Sequence, residues 1–165
     1  MKLVIQRVQK SSVSVAGQVV GQIGKGLCVL IGIAPTDTES DLDKMVEKLV
    51  NLRIFEDTAG KMNLSLADIH GEALIISQFT LLADCVKGRR PSFVGAGDPV
   101  HAEQLYQLFL QKVAQTGVPV QHGIFGAEML VSIENDGPAT FILESPHKWK
   151  KKKSLILKNK RDKIW

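Results

Sequence analysis

The most restrictive feature of the sequence is the unbroken apolar run Leu27–Ile33 (LCVLIGI), set off upstream by Gly24-Lys25-Gly26. A run this short, with no polar residue on either side of its two-residue repeat, reads as a strand buried on both faces. A chain containing such a strand must place a layer of structure against each of its faces. The flanking sequence supplies the material. Lys2–Val8 is β-branched and apolar, Ser12–Ala16 alternates, Gly17-Gln18 reads as a hairpin turn, and Val19–Ile23 returns. Further strands are expected at Arg53–Glu56, Glu72–Phe79, Val118–His122, Glu128–Glu134 and Thr140–Leu143, with a turn at Thr58–Lys61.

Two helices separate these strands. Leu42, Met45, Val46 and Leu49 recur at helical spacing behind Thr38 as N-cap, with Asp41 in the first turn. Asp98 and Pro99 open a second helix whose apolar face is Ala102, Leu105, Tyr106, Phe109 and Val113; Gly117 and Pro119 end it. The expected fold class is therefore α+β: a mostly antiparallel, barrel-like sheet with two packed helices. A chain of 165 residues suits one domain and can bury a core without disulfide support.

Charge is distributed unevenly. From Ser145 onward nine lysines and arginines face Asp162 alone, a balance of +8, which leaves −4 on the first 144 residues of a chain whose total is +4. The reading is a domain over 1–144 and a basic C-terminal tail over 145–165. No apolar run approaches the ~18 residues of a membrane span, and the N-terminal stretch lacks the apolar core of a signal peptide. A soluble cytoplasmic protein with no membrane partner is expected. Cys28 and Cys85, read as lying in apolar surroundings, show neither CxxC nor Cys/His spacing, so no disulfide framework, metal site or cofactor is expected.

Familiar catalytic groups are missing. There is no GxSxG, P-loop, HExxH or GxGxxG; GQIGKG at Gly21–Gly26 joins two strands instead of opening a helix. His70, His101, His122 and His147 are scattered without metal-ligand spacing, and nothing near Cys85 would activate its thiol. An enzyme of this sequence works without an obvious side-chain base.

Two segments stand out. Ser77-Gln78-Phe79-Thr80-Leu81 lies where an apolar strand emerges, a place where a rigid sheet can present polar groups; simple capping of strand-end backbone is the alternative. Asn135-Asp136-Gly137-Pro138-Ala139-Thr140 joins two strands in a Gly-Pro turn, a setting that favours a cis bond, and a purely structural turn is the alternative. Taken together with Ile5-Gln6-Arg7-Val8 and Phe125-Gly126-Ala127-Glu128-Met129, the pair SQFT and NxGPxT closely resembles the D-aminoacyl-tRNA deacylase family, from Met1 to about Leu143.

The resemblance implies a homodimer that hydrolyses the ester between a D-amino acid and the terminal ribose of tRNA, with glycyl-tRNA also accepted. Gly137-Pro138 would enter the partner's site and reject L-amino acids by crowding their side chains with backbone carbonyls. Arg7 would hold that turn, with Asn135 and Thr140 belonging to the same chiral-selection motif. Ser77, Gln78 and Phe79 would line the pocket for the terminal adenosine, their N–H groups being candidate oxyanion donors, while Phe125 and Met129 would wall the adenine. Thr80 is expected to act as a hydrogen-bonding scaffold, because nothing in the motif activates it as a nucleophile. The substrate's own 2′-hydroxyl would assist the attack. A sister group with altered motifs acts on L-alanine, and the unmodified SQFT and NDGPAT place this chain on the D-specific side. A non-catalytic RNA-binding barrel using the basic tail is the competing class.

Overall fold

The computed structural model describes residues 1–86 and 88–145; the basic tail beyond Ser145 lies outside the described residues. The elements run β1 (Lys2–Val15), β2 (Gln18–Ile23), β3 (Gly26–Gly32), α1 (Glu39–Asn51), β4 (Phe55–Glu56), β5 (Met62–Leu64), β6 (Glu72–Ser77), a 3-10 turn (Phe79–Leu82), α2 (Pro99–Gln115), β7 (Val120–His122) and β8 (Leu130–Glu144).

β3 is buried on both faces, as its composition requires. Leu27, Val29 and Ile31 join the larger core against the helices, whereas Cys28 faces a second cluster with Val8, Val13, Ile23, Leu74 and Ile76. β6 divides its side chains the same way, with Ala73 and Ile75 on the helix side and Leu74 and Ile76 on the other. The helices cover one layer, and the curled sheet encloses the other. Fully burying each of these aliphatic side chains stabilises the fold by roughly 1.5–3 kcal/mol.

β1 organises the sheet. Its first half pairs with β3, its second half with β2, and its other edge with β8 along nearly the whole length, all antiparallel. Register shifts between Gln6 and Lys10 rotate the strand, so Leu3 and Ile5 point into one core while Val8 and Val13 point into the other. β3, however, pairs with β6 in parallel, and β6 with β7 in parallel. The sheet is thus mixed, which corrects the mostly antiparallel expectation. The cause is α1, which carries the chain back over the sheet face between β3 and β6; a crossover of that kind delivers parallel neighbours. β2 and β7 nearly close the barrel: a Cβ on Gly21 would lie 2.8 Å from the His122 carbonyl oxygen.

Three local readings also shift. The first hairpin turns at Ala16-Gly17, both with positive φ, one residue earlier than expected, as a tight primed turn requires. The strands expected at Glu128–Glu134 and Thr140–Leu143 are one, β8, which begins only at Leu130 and carries the Gly-Pro segment as an irregularity within it. Cys85 is exposed and not in apolar surroundings; Cys28 is buried, and burial raises its thiol pKa. The helix starts match their signals. Asp41 accepts from the Thr38 N–H at 3.0 Å and hydroxyl at 2.8 Å, and Asp98 accepts from the Val100 and His101 N–H groups.

Candidate active site

The parallel pairing of β3 with β6 puts the C-terminal ends of both strands side by side. A cavity of about 420 Å³ opens at that edge. Ile31, Ile33, Ile76 and Ser77 form its floor, and Gln78 and Phe79 its lip. One wall is the start of α2 with the loop before it (Ala96, Gly97, Pro99, Ala102); the other is Phe125, Gly126, Ala127, Met129 and Val131. Five of the residues expected at the site from sequence, Ser77, Gln78, Phe79, Phe125 and Met129, are therefore brought together. Among the described residues, none that lines the cavity has an ionisable side chain.

Packing fixes this cavity from beneath. The buried Tyr106 donates its hydroxyl proton to the Ile75 carbonyl at 2.8 Å, and its ring supports Phe125 at 5.8 Å. Burial pushes the Tyr106 hydroxyl pKa well above its ordinary value, so it remains a neutral donor. Met129 sits where a Cβ on Gly123 would collide with its sulfur, so that glycine gives the methionine its place. Gly97 donates its N–H to the Ile33 carbonyl at 2.9 Å, and a Cβ there would press on that oxygen at 3.1 Å. Sequence alone does not single out the Ala96-Gly97 wall; its signal is the run of small residues just ahead of the Asp98 cap.

At the lip, one expectation changes in detail. The Gln78 N–H donates to the Ile31 carbonyl at 2.7 Å, so it is spoken for inside the protein and drops out as an oxyanion donor. The Gln78 side-chain amide donates to the Thr80 hydroxyl oxygen, and no ionisable group hydrogen-bonds Thr80 among the described residues.

The second motif lies elsewhere in the chain. The Gly137-Pro138 peptide is cis, and Gly137 has φ +137°. Arg7 is buried beneath it, donating from Nε to the Asp136 carbonyl at 3.0 Å and from Nη1 to the Ile54 carbonyl at 2.7 Å. Asn135 spans the base of the turn like an extra rung of sheet. Its Oδ1 accepts from the Ala139 N–H at 2.7 Å, and its Nδ2 donates to the Ala139 carbonyl at 3.1 Å and to the Thr140 hydroxyl at 3.2 Å. Gln6 donates to the same hydroxyl at 3.2 Å, and Gln9 to the Asp136 carboxylate at 2.8 Å. Every polar residue of the motif is thus engaged in holding one backbone corner. Arg7, Asn135, Gly137, Pro138 and Thr140 do not line the cavity of their own chain.

The sequence profile of the D-Tyr-tRNA(Tyr) deacylase family matches residues 4–144. The chain belongs to that family. It is 57% identical over 146 residues to a D-aminoacyl-tRNA deacylase of Geotalea uraniireducens, covering 88% of this chain and 94% of the relative. A D-aminoacyl-tRNA deacylase of a Geobacter species (strain M21) is also 57% identical, over 90% of this chain and 99% of its own length. The solved structure of a c-Myc DNA Unwinding Element Binding Protein superposes with a TM-score of 0.84 at 46% identity, covering 88% of this chain and 99% of the other. A probable eukaryotic D-amino acid tRNA deacylase, 22% identical, shares the fold with a TM-score of 0.77. The chain is accordingly a hydrolase of the D-aminoacyl-tRNA deacylase class. No helix among the described residues is long and apolar enough to cross a membrane.

Proposed function

We propose that this enzyme removes D-amino acids from tRNA by positioning the ester, without a side-chain acid, base or nucleophile, and that a second copy of the chain completes its site. The observation that carries the reading is the absence of any ionisable group from the cavity lining among the described residues. An aminoacyl ester is reactive enough for orientation and oxyanion donors to suffice. The terminal adenosine fits between Phe125 and Met129, with the ester at the Ser77–Phe79 lip. The first N–H groups of a 3-10 turn have no partner within it, so those of Phe79 and Thr80 are the donors left for the oxyanion. Water adds to the ester carbonyl, the bond from carbonyl carbon to ribose oxygen breaks, and the 2′-hydroxyl relays the water's proton to the departing oxygen. D-amino acid and free tRNA result.

Chirality is assigned to the Gly137-Pro138 corner. Its absence from the lining of its own chain's cavity supports a role in the cavity of a homodimeric partner. β8 is an edge strand that pairs only with β1 among the described residues, and it exposes Leu130 and Ile142, a surface suited to a second copy. The corner crowds any L-side chain; glycine, with none, passes as substrate. Cytoplasmic tRNA is the expected pool.

The test compares D-tyrosyl- with L-tyrosyl-tRNA, and with D-tyrosyl-tRNA ending in 2′-deoxyadenosine. The wild type should cleave only D-tyrosyl-tRNA efficiently, and loss of the 2′-hydroxyl should slow it by about a hundredfold or more. Equal rates with the deoxy substrate would refute the assisted mechanism. Nucleic-acid binding without hydrolysis is the second reading, suggested by the 46%-identical structure, whose name is that of a DNA-binding protein; tRNA binding with no release of D-tyrosine would favour it.

A further inference from the structure

Between the lip of the cavity and the start of α2 runs a loop that the proposed reaction does not use. It is fastened at both ends to the rim. Asp84 and Ser92 exchange backbone hydrogen bonds of 2.8 and 2.9 Å, and the Phe93 ring stands edge-on to Phe79 with centroids 5.2 Å apart. The Ala96 N–H then donates to the Phe93 carbonyl at 2.9 Å; both Phe79 and Ala96 line the cavity.

The loop's chemistry differs from that of the body around it. Residues 85–97 include Lys87, Arg89 and Arg90 and no carboxylate, within a domain whose first 144 residues sum to −4. Arg89 and Arg90 are exposed, and neither has a carboxylate within ion-pair distance among the described residues. Three residues on from Arg90, Phe93 is 42% exposed. Two exposed arginines without an ion pair, within four residues of an exposed aromatic ring in sequence, supply what single-stranded nucleic acid needs, forks for phosphate oxygens and a ring for a base.

We infer that the 88–93 segment grips the unpaired 3′ strand of tRNA just upstream of the terminal adenosine, with Arg89 and Arg90 on backbone phosphates and Phe93 against a base. The inference rests on the deacylase reading, which seats that adenosine in the cavity. It also accounts for how an acidic body holds a polyanion: the contacts are few and concentrated at the rim.

The test uses the full chain and a short 5′-labelled single-stranded RNA ending in CCA, with affinity measured against salt. Each phosphate contact in a single strand contributes about 0.7 to the slope of log affinity on log salt, so Arg89→Ala/Arg90→Ala should flatten it by about 1.4. That corresponds to affinity about 25-fold weaker at 0.1 M salt if the two proteins converge at 1 M. The basic tail contributes equally to both proteins and cancels in the difference. Arg89→Lys/Arg90→Lys, which keeps both charges, should retain most of the slope. An unchanged slope in the alanine variant overturns the inference, as does an equal loss in the lysine variant, which would mark a structural role. Failure of the deacylase reading looks different: wild-type protein would bind the RNA with its full slope yet leave D-tyrosyl-tRNA intact.

Discussion

Arg7 joins two carbonyls that lie far apart in sequence, those of Ile54 and Asp136, and it does so from a buried position. The planar guanidinium can aim Nε and Nη1 at both oxygens at once; an ammonium on a flexible stem cannot. Arg7→Lys should therefore leave one buried carbonyl unpaired and destabilise the protein by about 1–3 kcal/mol, read as a lowered midpoint in thermal or urea unfolding. Its functional cost should be larger than its stability cost suggests. With the corner released, discrimination between D- and L-tyrosyl-tRNA is expected to fall by roughly tenfold or more, since each ~1.4 kcal/mol lost from the rejection of the L-form is one decade. Retained discrimination in a folded Arg7→Lys protein would remove Arg7 from the selection apparatus. At this scale the sequence singled out these residues, and for Arg7 the turn it meets, but not the atoms that each side chain engages. The resemblance assigned Asn135 and Thr140 to the chiral-selection motif; only the folded chain puts their side chains on the turn itself, because the rung from Asn135 to Ala139 depends on how β8 passes the irregularity opposite β1.

The strands and helices were readable where local chemistry decides them. Thr38 and Asp98 marked both helix starts, and the Leu27–Ile33 run identified the central strand, because caps and continuous apolar runs report on their own immediate surroundings. Strand direction was the harder matter, since a two-residue alternation is the same in either sense. The α1 segment between Leu27–Ile33 and Glu72–Phe79 held the clue, a strand-helix-strand order that brings the second strand in beside the first with the same polarity. The contact is unusually close. A Cβ on Gly26 would overlap the Glu72 carbonyl oxygen, well inside any permissible separation. Gly26→Ala should force β3 and β6 apart at their N-terminal ends and destabilise the fold by about 3 kcal/mol or more, comparable to severe overpacking of a core. Chemical denaturation checks this, and Gly60→Ala is not a suitable control because Gly60 has a positive φ of 73°. Gly24→Ala is the better comparison: its Cβ would meet only the Glu72 carboxylate, at 3.5 Å, so its loss should be small.

At the scale of the whole molecule the two motifs pose a geometric question. The cavity belongs to the C-terminal edge of β3 and β6, whereas the Gly137-Pro138 corner is held over Arg7 and Ile54 and contributes nothing to that cavity's lining. If selection works across a twofold interface, each pocket is built from one subunit and closed by the corner of the other. Two variants separate this arrangement from a self-contained site. Gly137→Ala adds a Cβ only 3.0 Å from the Ala139 nitrogen and from Arg7 Nη2, at a φ that an L-residue rarely adopts, so the corner is displaced while the pocket stays open. Ala127→Phe fills the pocket and leaves the corner alone. Neither protein by itself should cleave D-tyrosyl-tRNA with selectivity over the L-form. When the two are unfolded together and refolded, about half of the dimers should be mixed, each with one intact pocket facing one intact corner, so selective turnover should recover to about a quarter of the wild-type level. A corner that closed its own chain's pocket would leave no intact site in any mixed dimer, and selectivity would stay lost after refolding.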